Sequence, residues 1–232
     1  MNRPTVTVYN EISVDGRITD FAGDAALYYG HGFSWPRDAI LMGSVTAGAF
    51  GPAESDEEAA GLGPSVPPSP VPPGFEEIVK GPRPLLVVVD SGGVVRNWRN
   101  AQAAPWYGGH VSLVSERTPT EHLEYLAWRE VDVVRCGSER VDLAEGLRRL
   151  HDDHGIRRVR TDGGGQLTGA LLAAGLVDEL IVMVAPALCE DPRGRSLVEL
   201  TSRLPRASAR LELVDVETLD GGVVVLRYAV NR

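Results

Sequence analysis

Long apolar runs are missing from this 232-residue chain. No stretch approaches the ~20 consecutive apolar residues that a membrane span needs, and the opening MNRPTVTVYNEIS has no apolar signal core. Cysteine is nearly absent. Cys136 and Cys189 are the only two, so a disulfide scaffold is excluded and a reducing, cytoplasmic compartment is expected. Cys136, within VDVVRCG, reads as a small buried apolar residue. Positive charge is also in short supply: 23 Lys and Arg stand against 32 Asp and Glu, for a net charge of −9. That balance argues against nucleic acid and against a membrane surface as partners, since both require basic patches. The Arg-rich GIRRVR is short and broken by apolar positions, and reads as a solvated strand face. His151 and His154 fall at a helix end, where cations suit the dipole. With no third ligand placed beside them, no metal is expected. The order of residues supports no Ser-His-Asp or Cys-His triad.

What is present is an alternation of strands and helices. PTVTVYN (4–10) alternates with β-branched residues and reads as a first strand, followed by a loop at SVDGRITD. AILMG (39–43) is a short apolar run, and SVTAGAF begins a helix with Ser44 as its cap. PLLVVVD (84–90) is continuously apolar, as a strand covered on both faces would be. HVSLVS and VDVVRC are further strands. VDLAEGLRRLHDDHG is a helix with Leu143, Leu147 and Leu150 at helical spacing and Gly155 as its stop. IRRVRTD is a strand, QLTGALLAAG a helix closed by Gly175, and ELIVMVAP a strand. RLELVDVETLDGGVVVLRYAV reads as an antiparallel hairpin turning near Asp220-Gly221-Gly222. The pattern implies an α/β fold, a mostly parallel sheet with an antiparallel C-terminal hairpin. The acidic and then Pro-rich stretch at about 51–83 is too poor in large apolar residues to form a core. It is expected as a surface insertion in a single domain spanning 1–232.

The triplet Gly163-Gly164-Gly165 raises the sharpest question, because each glycine in a helix costs roughly 1 kcal/mol relative to alanine. It follows a strand ending in Thr161-Asp162 and precedes a helix. Backbone N–H groups at such a helix start attract a phosphate. A tight structural turn is the other reading. The dinucleotide fingerprint fits only in part, since Thr168 takes the third glycine position and Gly169 comes one residue late. Asp15-Gly16 alone reads as a turn, Ser44 and Thr46 as a cap and a first-turn residue, and Arg117 as a solvated charge. Asp90-Ser91, after the apolar strand, either faces the site or starts a turn.

Taken together, DGGGQLTGALLAAGLVDELIVMVAP resembles the signature of the C-terminal reductase domain of riboflavin biosynthesis, the RibD C-terminal, dihydrofolate-reductase-like family. NEISVDGRIT, DAILMGSVTAGAF and VSLVSERTP resemble three more of its motifs, in the same order. No zinc deaminase signature appears, so the resemblance is to a free-standing reductase. It implies a dihydrofolate-reductase-like sheet with helices on both faces and hydride transfer from NADPH, with NADH the weaker candidate. The implied substrate is a heterocycle, a ribosylamino-pyrimidine opened to its imine. Gly43, Ser44 and Thr46 would then contact cofactor phosphates, as would Gly163, Gly164 and Gly165. Ser115 and Arg117 would approach the adenosine 2′-phosphate. Asn10, Ser13 and Asp15 would line the substrate side, with Asp15 and Asp162 the catalytic candidates. A homodimer is a further expectation of the resemblance. A folate-type reductase is the alternative, disfavoured by the missing Leu-Pro-Trp motif. A non-catalytic nucleotide-binding sensor of the same fold is another.

Overall fold

A computed structural model describes residues 2–55, 63–64, 66–201, 204 and 210–231. Two compact units emerge, one built on Asp38–Ile156 and the other on Pro4–Arg37 with Arg157–Arg232.

The first unit carries β2 (Ala39–Gly43), β3 (Leu85–Val89), β4 (Gly109–Val114) and β5 (Asp132–Arg135), in the order β5-β4-β3-β2. All three pairings are parallel, so each strand must be followed by a crossover. The helices α2 (Ser44–Ala47), α3 (Trp98–Ala103) and α4 (Thr120–Trp128) lie in those crossovers, and α5 (Leu143–His154) follows β5. β3 is buried along its middle, as its unbroken apolar run predicts. Its core gathers Ile40, Met42, Leu86, Val88, Trp98 and Leu126. At the start of α5, Asp142 accepts the Ala144 and Glu145 N–H groups. Gly155 then stops that helix at φ 68°, a left-handed angle favouring glycine. Cys136 is buried, and burial, helped by Glu145 and Asp142, pushes its thiol up to about 12.

The second unit carries β1 (Thr5–Ile12), β6 (Arg158–Thr161), β7 (Glu179–Val184), β8 (Leu211–Thr218) and β9 (Val224–Val230), in the order β6-β1-β7-β9-β8. β1 pairs in parallel with β6 and β7, and β9 runs antiparallel to β7 and β8. The mostly parallel sheet with an antiparallel C-terminal hairpin is therefore as expected. The turn of that hairpin includes Gly221 and Gly222, both at positive φ. Helix α1 (Ala25–Ser34) packs Leu27 and Tyr28 onto a core of Tyr9, Ile181, Met183, Val223 and Val225. Helix α6 (Gly165–Ala173) follows β6.

The Pro-rich stretch is tied down in the first unit, at its described residues. Glu54, 7% exposed, pairs with the fully buried guanidinium of Arg129. Its other oxygen accepts from Tyr125 Oη at 2.9 Å and from the Arg99 N–H at 3.0 Å. Arg129 also donates to the Gly63 carbonyl at 3.1 Å. Breaking a buried ion pair from one side leaves an uncompensated charge, which costs about 3–5 kcal/mol. Glu54→Ala is expected to destabilise the protein by that much in urea denaturation. Adding Arg129→Met should recover most of the loss, and a fully additive double variant would contradict the pairing.

Candidate active site

In an open parallel sheet, ligand sites form at the carboxyl ends of the strands, where the crossovers begin. In the first unit those ends are Gly43, Val89, Val114 and Arg135. Gly43, not Ser44, occupies the N-cap of α2, at φ −85° and ψ 164° and with no side chain capping the turn. The helix begins directly after the last residue of β2, so Ser44 becomes the first helical residue. Ser44 and Thr46 are half-buried and Val45 between them is 62% exposed. Asn97 fixes the far side of this turn by donating to Ala47 O at 2.8 Å and Gly51 O at 2.9 Å.

Ser115 is fully buried, and its hydroxyl donates to Ser91 O at 3.2 Å. Ser91 Oγ in turn accepts the Val141 N–H at 3.0 Å, and the Glu116 N–H donates to Gly137 O. The loops after β3, β4 and β5 are thus laced together. Arg117 projects from this lacing, 69% exposed and paired with Glu139. Asp90 turns inward instead of facing outward. Its carboxylate is fully buried and accepts the Val94 and Val95 N–H groups at 2.9 Å. His122 Nε2 stands 3.3 Å from it. Burial by itself would raise the Asp90 pKa, but the His122 ring and the two amides outweigh burial and hold it below its usual value. Of the two readings for Asp90-Ser91, the turn is the one observed.

In the second unit, β1 delivers Asn10 and Ser13, both buried. Asn10 Nδ2 donates to Gly163 O at 3.3 Å, so Asn10 and the glycine turn meet. Ser13 Oγ accepts the Arg17 N–H at 3.0 Å, and Gly16 at φ 81° closes the Asp15-Gly16 turn. Asp15 is exposed and accepts the Cys189 N–H at 3.0 Å. That amide and the Ser13 hydroxyl hold its pKa below the ordinary value. Asp162 takes two donors from one guanidinium: Arg160 Nε and Nη2 reach its two oxygens at 2.8 Å each. Arg160 is 4% exposed, so the solvated face expected for GIRRVR does not extend to it. Alternate residues on a strand share a face, and Asp162 two positions on supplies the charge that lets Arg160 be buried.

The three glycines divide by cause, and none has positive φ. A Cβ on Gly163 would lie 2.8 Å from Leu167 Cδ2 and 3.0 Å from Thr161 Oγ1. The Gly163 N–H already donates to Thr161 Oγ1 at 3.2 Å. A Cβ on Gly165 would collide with Ser196 O and come within 2.9 Å of Glu199 Cγ, and one on Gly169 would collide with Glu199 O. Packing of the 196–199 segment therefore dictates Gly165 and Gly169. Gly164 is the N-cap of α6, and no side chain caps that turn. An uncapped helix start of this kind suits an anion. Arg160 and His122 have no motif of their own in the sequence, whereas Asp90 is marked by its place at the end of the apolar run. For Arg160 the one available signal is its Arg-x-Asp spacing to Asp162. No cluster of metal-binding side chains and no helix able to cross a membrane occurs among the described residues.

Comparison with known proteins adds to this geometry. Residues 4–225 match the family model of the RibD C-terminal domain. The 2,5-diamino-6-ribosylamino-4(3H)-pyrimidinone 5′-phosphate reductase of Methanothermobacter thermautotrophicus is 31% identical over 236 residues, with 99% of both chains covered. The reductase of the same name from Aquifex aeolicus is 25% identical over 202 residues, 81% of this chain and 79% of its own. Among solved structures, a pyrimidine reductase-like protein of Corynebacterium diphtheriae matches with a TM-score of 0.67. It is 17% identical and the match covers 99% of this chain and 92% of its own, a likeness of fold. The chain belongs to the RibD C-terminal domain family.

The buried Asp90 gives a pH-dependent prediction. Its folded pKa is depressed. The stability it contributes is therefore complete above the unfolded value of ~3.9 and lost as pH falls through the lower folded value. Asp90→Asn should destabilise the protein by about 1.5–3 kcal/mol at neutral pH, the range for hydrogen bonds to a charged group. In melting curves recorded across acid pH, the gap to wild type should close below ~4. A gap unchanged by pH would contradict this.

Proposed function

We propose that this member of the RibD C-terminal domain family is a free-standing reductase. It acts on a ribosylamino-pyrimidine 5′-phosphate of the kind named for its methanogen relative, with NADPH as coenzyme. The observation that carries this reading is the end-to-end relation, 31% identity over 99% of both chains. When bound, the reduced nicotinamide supplies a hydride to the imine carbon of the ring-opened ribose. The chain's own task is to hold the two reactants in register and keep water away.

On the coenzyme side we assign Gly43, Ser44 and Thr46 in the first unit and Gly163, Gly164 and Gly165 in the second to phosphate contacts. The uncapped first turn of α6 supports this, since its amides favour negative charge. Ser115 and Arg117 are assigned to the adenosine 2′-phosphate, the group that distinguishes NADPH from NADH. Ser115 acts there through its main chain, because its hydroxyl is committed to Ser91 O. Arg117 exchanges Glu139 for the phosphate, and an exposed ion pair is worth only about 0–1 kcal/mol. On the substrate side we assign Asn10, Ser13, Asp15 and Asp162, with both carboxylates accepting from ring and ribose donors. A single domain over residues 1–232 and a cytoplasmic location belong to the same proposal. A homodimer is the proposed assembly, and β8 supports it: all eight of its residues are exposed, Leu213 and Val214 by 53% each.

Loss of the reduced-nicotinamide absorbance, followed with the phosphorylated pyrimidinone, tests the reading. Oxidation is expected with NADPH, faster than with NADH, and about 10²-fold slower in Asp162→Asn, in line with the penalty for misplacing a bound reactant. Coenzyme binding without oxidation would assign the chain to sensing instead. The absence of both binding and oxidation would overturn the reductase reading altogether.

A further inference from the structure

Arg160 is a heavily committed cation of the second unit. It gives two donors to Asp162 and a third, Nη1, to the Gly32 carbonyl at 2.5 Å. Its guanidinium carbon lies 5.2 Å from the centre of the Tyr9 ring. Gly32 in α1 makes room for this, since a Cβ there would meet Tyr9 Cε1 at 2.8 Å and Arg160 Nη1 at 2.9 Å. Strand, helix and aromatic ring thus fix the guanidinium from three sides, and it fixes Asp162 from a fourth. Asp162 is the last residue before the glycine turn. Gly163, next to it, is held through its carbonyl by Asn10 and through its N–H by Thr161 Oγ1.

We infer that Arg160 is a positioning residue for the reductase site: its bidentate grip orients the Asp162 carboxylate as an acceptor and sets the Gly163–Gly165 turn behind it. This rests on the assignment of Asp162 to the substrate side. With one oxygen on Nε and the other on Nη2, Asp162 keeps only its remaining lone pairs for a ligand N–H or O–H. A carboxylate gripped in this way by a permanent cation serves as an acceptor. The proton that completes imine reduction then comes from solvent, and the hydride from the coenzyme. Lysine cannot replace this arrangement, because an ammonium offers a point charge where two parallel donors are needed.

Arg160 also lines a cavity of about 390 Å³, together with Thr5, Thr7, Trp35, Glu179 and Arg227. Because Arg160 lines this cavity, rescue of an alanine variant by a small guanidinium solute is a practical test. The test uses the full chain labelled with ¹⁵N-glycine, as wild type, Arg160→Ala, Arg160→Lys, Asp162→Asn and the Arg160→Ala/Asp162→Asn double variant. In Arg160→Ala the amide resonances of Gly163, Gly164 and Gly165 should shift. Millimolar guanidinium should return them toward wild type, whereas urea should not, and the double variant should not respond. In turnover, kcat of Arg160→Ala should fall about 10²-fold. Guanidinium should restore part of it, and removing Arg160 from Asp162→Asn should add little further loss. Arg160→Lys, which keeps the charge, covers the case in which the alanine variant does not fold, and it should show the same displaced glycine resonances. Undisturbed resonances in either variant, or rescue that persists without Asp162, would overturn the inference. The resonance arm needs no substrate, so a failure of the reductase reading would appear separately, as absent turnover in wild type.

Discussion

Parallel pairing is the constraint from which the rest of this protein follows. A parallel strand cannot be joined to its neighbour by a tight turn. The chain must leave at the carboxyl end, cross over and re-enter at the amino end. In the first unit every strand obeys this rule, and in the second β1, β6 and β7 do. Each crossover therefore starts with chain emerging at one edge, where main-chain amides and loop side chains collect. Gly43, Ser91, Ser115 and Gly137 in one unit, and Ser13, Asp162 and Gly164 in the other, all lie at such exits. That these residues gather at the strand exits follows from strand direction before any particular side chain is considered.

Two buried arginines give each unit a second organising feature. Arg129 pairs with Glu54, and Arg160 with Asp162. Burying a guanidinium is unfavourable unless a carboxylate and further acceptors satisfy it, so each arginine dictates the position of distant chain. Arg129 fastens the start of the Pro-rich stretch to α3 and α4 through Glu54, Tyr125 and the Arg99 amide. Arg160 fastens α1 to the glycine turn through Gly32 and Asp162. In a chain of net charge −9, a few well-placed cations thus organise many of the polar contacts near the candidate sites.

Much of this was legible in the sequence, and the failures have physical reasons. The β3 run, the amphipathic α5 with its Gly155 stop and the Asp-Gly-Gly turn of the last hairpin all announce themselves locally. Helix α1 does not. AALYYGHGFS contains Gly30 and Gly32, and the latter is explained by the closeness of Tyr9 and Arg160, a contact visible only in three dimensions. The start of α4 gives no cap signal either, because Pro119 sits at its N-cap with no side chain hydrogen bond. At the site, Asp162 and the glycines stood out as a motif. The burial of Arg160 was hidden, since an arginine in a strand reads as solvated until its partner is known. The triplet itself mixes two causes that look alike in sequence, with Gly165 dictated by the Ser196–Glu199 backbone and Gly164 sitting at an uncapped helix start.

We propose that the main-chain amides at the start of α6, a turn that no side chain caps, receive a phosphate of a reduced dinucleotide. Titrating the ¹⁵N-glycine-labelled chain with NADPH tests it most directly. Saturable displacement of the Gly164 and Gly165 amide resonances, complete at one coenzyme per chain, is the expected result. NADPH binding that leaves those two resonances unmoved would contradict it.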